Sequence, residues 1–276
     1  MIYLHSITLN NQSNIPVLGL GTWRLAGKEA TETVKKAIQI GYSHIDTAEM
    51  YGNEKQISEA IKNFDREKLF LTSKVWYENL NYQSVIHACK KSLKELRTDY
   101  LNLYLIHWPN PSIDMKETFQ ALKKLYSEGL IRAVGVSNFT IRHLKQALPL
   151  CQSLSLPIVT NQVEFHPFLY QESLLNFCRK NNIYLTAYRP IAKGLVNENN
   201  IISQIAKKYQ KTPVQITLRW LIQQNIVVIP KASSEKHLKE NLDIFDFELD
   251  HLDIETIKEV NQNKRMVNSE FADFDD

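Results

Sequence analysis

The sequence is poor in cysteine, in long apolar runs and in any excess of charge, and each shortage removes a class of protein. Cys89, Cys151 and Cys178 are odd in number and irregularly spaced, which argues against a disulfide framework and a clustered zinc site. Cys89 and Cys178 fall on expected helix faces, where a buried free thiol is the ordinary role. No apolar stretch approaches the length of a membrane span. Residues 1–10 lack the charged start and long apolar centre of a secretory signal. A reduced, cytoplasmic protein with no membrane partner is expected. The 33 basic and 30 acidic side chains leave a net charge of +3 with no basic block, so nucleic acid is not an expected partner. Low-complexity linkers, composition breaks and visible repeats are also missing, and one domain over residues 1–276 is expected.

What is present is an alternation of two periods. The 276 residues, 43% of them hydrophobic, suffice to bury a sizeable core. Short strand patterns lie at 18–21, 44–46, 69–74, 100–107, 133–137, 158–164, 184–188 and 226–230, with helical patterns between them. Val34, Ala37 and Ile38 share one helical face, as do Val85, Ala88 and Cys89. Thr212-Pro213-Val214-Gln215 offers a capping box with proline at the first helical position. Such alternation implies a parallel sheet. Eight units suit a closed (β/α)8 TIM barrel, and Ile7 to Val17 read as an N-terminal β-hairpin that closes its bottom. The acidic tail from about Met266 to Asp276 has no clear period, and two placements remain for it: over the site, or partly loose.

Four strand ends carry chemically useful side chains. Asp46 and Tyr51 lie in Gly41–Glu54, Lys74 closes the run from Leu69, and His107 closes the run from Tyr100. In a βα barrel such ends converge on one face. Reducing a carbonyl takes a hydride to carbon, which no side chain supplies, and a proton to oxygen. A tyrosine beside an ammonium has its phenolate favoured, so Lys74 is expected to lower the pKa of Tyr51, with Asp46 holding Lys74. His107 can donate a hydrogen bond to the substrate oxygen. Each residue alone has an ordinary reading: Tyr51 as a rim residue, Asp46 as a strand-end cap, Lys74 as a solvated lysine, His107 as a core histidine. Their combination at successive strand ends outweighs those readings. Gly19-Leu20-Gly21-Thr22 begins like a dinucleotide fingerprint but lacks the third glycine. His44 and Asp46 share a strand face as two metal ligands would, without a clear further set, so no metal is expected.

At these residues the chain resembles the aldo-keto reductase superfamily, and within it small bacterial 2,5-diketogluconate and methylglyoxal reductases. The resemblance runs from Gly19-Leu20-Gly21-Thr22-Trp23 through Gly41–Glu54, Lys74 and Leu105-Ile106-His107-Trp108-Pro109. It continues through Gly135–Phe139, Asn161-Gln162-Val163-Glu164 and Ile229-Pro230-Lys231 to Glu240-Asn241. It implies a TIM barrel and a tetrad of Asp46, Tyr51, Lys74 and His107, with Tyr51 as proton donor. It also implies an extended NADPH. Thr22 and Asp46 would touch that cofactor, Ser137, Asn138 and Gln162 would hold its carboxamide, and Tyr188 would stack on its nicotinamide ring. Lys231, Ser233, Ser234 and His237 would hold the adenosine phosphate and Asn241 the adenine. The ordinary reading of the serines is a capped helix start. The resemblance also implies a pocket of Trp23, Met50, Trp76 and Trp108 beside Tyr51 and His107, suited to small aldehydes, α-dicarbonyls or keto sugars. A monomer is implied as well. Three positions depart from the pattern: His237 stands where the family usually has arginine, and Arg189 and Ala232 where serine is common. Neutral histidine offers a phosphate less than arginine does, so NADPH is expected with NADH as a weaker alternative.

Overall fold

The computed structural model describes residues 5–269 and 271–274. Eight parallel strands follow chain order around the sheet: β3 (Leu20–Gly21), β4 (His44–Asp46), β5 (Phe70–Val75), β6 (Leu103–Ile106), β7 (Val134–Ser137), β8 (Ile158–Glu164), β9 (Tyr184–Tyr188) and β10 (Val227–Val228). Its two edges meet: Leu18 bridges Val228 in parallel, and the Gly19 N–H donates to the Val228 carbonyl at 2.8 Å. The sheet therefore closes into a barrel, as the strand–helix alternation predicts. The main helices are α1 (Gly27–Gln39), α2 (Glu54–Ile61), α3 (Tyr82–Leu96), α4 (Met115–Ser127), α5 (Ile141–Ser153), α6 (Glu172–Lys180), α7 (Asn200–Tyr209), α8 (Pro213–Gln223), α9 (Glu235–Leu242) and α10 (His251–Lys258).

Local chemistry explains where these elements begin. Thr212 accepts the Gln215 N–H while the Gln215 side chain accepts the Thr212 N–H, so the expected capping box opens α8. The sixth strand is shorter than the pattern suggests. The Asn102 side chain accepts the Leu71 N–H at 3.0 Å, and regular pairing with β5 starts only at Leu103. The fifth strand slides one residue along, so that Val75 rather than Lys74 ends it. All three cysteines are buried free thiols.

A short antiparallel hairpin, β1 (Ser6–Thr8) with β2 (Asn14–Pro16), plugs one mouth of the barrel. Leu9 and Ile15 pack there on Phe70, Leu103, Leu105, Ala133, Val159 and Val227. The Asn10 amide donates to the carbonyls of Ile158 and Asn182 and ties the turn down. Apolar side chains fill the bottom of the barrel, so a ligand reaches only the other face.

Gly135 is among the interior positions with no room for a side chain. A Cβ on Gly135 would lie 2.6 Å from Leu105 Cδ2 and 2.8 Å from the Thr160 carbonyl oxygen. Overpacking of this kind costs about 1–3 kcal/mol. Urea unfolding of Gly135→Ala is expected to show that loss, and wild-type stability would contradict so tight an interior.

Candidate active site

The chain leaves β4 at Asp46 and turns through a single 3-10 turn, Glu49–Tyr51, ended by Gly52 at φ 65°. Asn53 fixes this turn. Its oxygen accepts from Thr47 at 2.7 Å, and its amide donates to the Thr22 and Leu25 carbonyls at 2.9 and 3.0 Å. Tyr51 is thereby held above the barrel mouth. Lys74 reaches the same point from β5 and His107 from the residue after β6, so the structure brings these four side chains together.

The Lys74 ammonium is fully buried. It donates to Asp46 Oδ1 at 2.5 Å and to the Thr47 carbonyl at 2.8 Å, and it lies 3.5 Å from the Tyr51 hydroxyl oxygen. The second carboxylate oxygen, Asp46 Oδ2, accepts from Gln162 Nε2 at 2.7 Å. Tyr51 thus takes the acceptor role toward Lys74, and its own proton is left for a ligand.

The expected lowering of the Tyr51 pKa is not what this geometry gives. Burial pushes the phenol well above the ordinary tyrosine value, and the Asp46 charge adds to the rise. Burial is the larger cause, and the ion pair adds to it, because Asp46, 2.5 Å from Lys74, offsets the field that Lys74 would exert on the phenol. Burial, with Lys74 beside it, likewise drives the His107 pKa well down, so its imidazole is neutral. Among the described residues its Nδ1 is buried without a partner, an arrangement that costs least when the ring hydrogen sits on Nε2. His44, the other histidine of this stretch, lies deeper, against Thr72 at 3.0 Å.

A cavity of about 1130 Å³ opens over these groups, larger than the roughly 300–1,000 Å³ of most ligand pockets. Its wall includes Thr22, Trp23, Asp46, Met50, Tyr51, Trp76, His107, Trp108, Ser137, Asn138, Gln162, Tyr188, Lys231, His237 and Asn241. Lys74 stands behind that wall, while Ser233 and Ser234 lie outside it. Ser234 accepts the His237 N–H and caps α9, the ordinary role weighed for it. The Ser137 hydroxyl donates to the Gln162 carbonyl at 2.8 Å, and the Tyr188 hydroxyl donates to Asn138 Oδ1 at 2.7 Å.

Sequence reasoning missed part of this wall. Arg24, Lys193 and Lys236 join Arg189, Lys231 and His237 around the cavity. Lys193 and Gly194 both take positive φ in the loop after β9, and the basic Arg189-Pro190…Lys193-Gly194 run was the available signal. Such a set of cations, with the cavity-lining ring of Tyr188, fits a ligand of flat rings joined by phosphates. The tail had two placements open to it. Glu164 accepts the Met266 and Val267 N–H groups at 2.8 and 2.9 Å. This lays the tail over the cavity, where Phe271 stacks on Tyr77 at 4.3 Å and meets Trp76 and Trp108 edge-on at 5.5 and 5.3 Å. Of the two placements open for the tail, the covering one holds for its described residues. Trp23 lies 4.8 Å from Tyr51, and Trp76 lies 5.3 Å from His107. The wall around the hydroxyl is therefore aromatic.

Residues 17–262 match the family model described as the aldo/keto reductase family. The chain is 44% identical to the glyoxal reductase of Bacillus subtilis, over 95% of this chain and 94% of that protein. It is 38% identical to the methylglyoxal reductase of Escherichia coli K12, over 94% of each. The crystal structure of a Bombyx mori aldo-keto reductase in complex with NADP superposes with a TM-score of 0.89 at 33% identity, covering 97% of this chain and 96% of that one.

Burial favours the neutral form of both inner histidines, and His44 is held down to about 4. The unfolded chain takes up those protons near ~6.5. Stability is thus complete above that value and falls as pH drops toward 4, by about 3 kcal/mol for His44 alone. Proton NMR is expected to show neutral imidazoles at His44 and His107 from neutral pH down to about pH 5.5. A titration midpoint near the ordinary histidine value at either ring would overturn the assignment.

Proposed function

The chain belongs to the aldo/keto reductase family, and we propose that it reduces small aldehydes, α-dicarbonyls or keto sugars to alcohols with NADPH, Tyr51 giving the proton. The observation that carries this reading is the Tyr51 hydroxyl. It accepts from a buried Lys74, keeps its own proton and faces the cavity beside a neutral His107. The names of the two bacterial relatives favour α-dicarbonyls among the candidate substrates, and the Bombyx structure with NADP favours that dinucleotide.

The cofactor supplies the hydride when bound; the rest falls to the chain. Tyr188 offers a ring face to the nicotinamide, and Asn138 and Gln162 offer amide groups to its carboxamide. Lys231, His237 and Asn241 would meet the adenosine phosphate and adenine, with Arg189 and Lys193 near enough along the wall to serve the pyrophosphate. The substrate carbonyl would lie against Trp23, Trp76 and Trp108, with His107 Nε2–H orienting its oxygen. As negative charge grows on that oxygen, the Tyr51 proton moves to it, and the phenolate left behind is stabilised by Lys74. Asp46 keeps Lys74 charged and in place throughout. The aromatic wall and the tail restrict water around the reacting oxygen.

Loss of reduced-nicotinamide absorbance is the direct test, with NADPH and NADH in parallel against methylglyoxal, aromatic aldehydes, aldoses and a diketogluconate. Tyr51→Phe is expected to lower turnover by at least about 10²-fold, with NADPH binding by fluorescence nearly unchanged. Full activity in that variant would refute the donor assignment. His237→Arg replaces a neutral ring with a fork that matches phosphate. It should raise the ratio of NADPH to NADH efficiency, and an unchanged ratio would remove His237 from phosphate recognition.

A further inference from the structure

We propose that Gln162 is a positioning residue: it fixes Asp46, and through Asp46 the Lys74–Tyr51 contact. This inference rests on the reductase reading above. The backbone of Gln162 is pinned, because its carbonyl accepts the Ser137 hydroxyl at 2.8 Å and the Asn138 N–H at 2.9 Å. Its side chain then crosses the barrel mouth from β8 to β4 and meets Asp46 Oδ2 at 2.7 Å. An ionised carboxylate only accepts hydrogen bonds, so the amide nitrogen must face Asp46 and the amide oxygen must face away. Among the described residues no protein donor reaches that oxygen, and Gln162 lines the cavity. An acceptor in this position suits a ligand N–H₂.

The consequence is a fixed sequence of contacts. Asp46 has one oxygen held by Lys74 and the other by Gln162. Carboxylate rotation about its terminal bond is otherwise soft. With Gln162 in place, Asp46 cannot turn, and Lys74 keeps its distance to Tyr51. Without it, the weakest contact of the set, Lys74 to Tyr51 at 3.5 Å, is the first to open. The titratable groups facing this point are Asp46, Lys74, Tyr51 and His107, with His44 from β4, Glu54 from α2 and Tyr188 from β9.

Gln162→Glu separates positioning from mere acceptance, since it keeps the length and the acceptor oxygen but donates to Asp46 only while protonated. Two carboxyls in contact share a proton, which raises the pKa of the introduced group. The donor is therefore present at low pH and lost as pH rises through that raised value. Between about pH 6 and pH 9, kcat at saturating NADPH is expected to fall roughly tenfold or more below wild type. The NADPH dissociation constant should move less than about threefold. The cofactor-free variant should lose thermal stability over the same pH window while wild type does not. Wild-type kcat across the range, in a folded variant with an unchanged dissociation constant, would overturn the proposal. Gln162→Met is the second variant: positioning predicts a lower kcat at saturating NADPH, whereas acceptance alone predicts only weaker binding. Wild-type protein without turnover would sink the reductase reading instead, and the stability measurement would still decide whether Gln162 holds Asp46.

Discussion

Taking an ammonium and a carboxylate out of water costs several kcal/mol for each ion, and Lys74 and Asp46 are buried to 0% and 2% exposure. Such a pair survives only with short contacts on every side. Lys74 has the Asp46 oxygen and the Thr47 carbonyl; Asp46 has Lys74 and Gln162; Thr22 secures the backbone of Asp46 through a hydroxyl donated to its carbonyl at 2.9 Å. Strands β4, β5 and β8 each contribute one partner. The barrel must therefore close in this register for the pair to exist, and a pair left half-made would oppose folding. Burial keeps Tyr51 and His107 uncharged, with the Asp46 charge adding to the effect on Tyr51 and the Lys74 charge to that on His107.

A second buried carboxylate does comparable work at the rim. Burial alone would raise the pKa of Glu164, yet His166 and the two tail amides hold it below the ordinary value. Glu164 ends β8 two residues beyond Gln162, so one strand fixes both the ion pair and the tail. The tail in turn brings Phe271 against Trp76 and Trp108. Arg189 donates to the Met266 carbonyl at 3.0 Å and also lines the cavity, so the covering segment and the cationic wall share a side chain.

The barrel was legible because its strands and helices differ in period, and the hairpin because Leu9 and Ile15 flank a turn-forming run. Strand ends were less legible: the Asn102 side chain takes a ladder bond that no periodicity reveals. Of the site, the residue types at strand ends were readable, since the fold itself gathers them. Their electrostatics were not. The sequence places Lys74 near Tyr51, but whether the ammonium acts on the phenol depends on a 2.5 Å distance to Asp46. The Gln162–Asp46 contact joins residues 116 apart in sequence, and only closure of the barrel brings them together. Ser234 was legible in one of its two readings: its hydroxyl accepts the His237 N–H and caps α9.

A phenol whose pKa is raised looks like a poor acid, but the comparison that matters is made during the reaction. The oxygen of a carbonyl that is receiving a hydride becomes alkoxide-like, a far stronger base than a phenolate. A neutral Tyr51 is in its donor form at every physiological pH. The requirement then shifts from Tyr51 before transfer to Tyr51 after it. On the proposed mechanism, once the proton has gone the phenolate would lie 3.5 Å from Lys74, and that distance can shorten as charge appears on the oxygen. In a site of low dielectric such a response is worth more than in water. In the proposed mechanism burial and Asp46 keep the phenol protonated while it waits, and Lys74 offers its charge once the proton has left, which is stabilisation confined to the moment when it changes the rate.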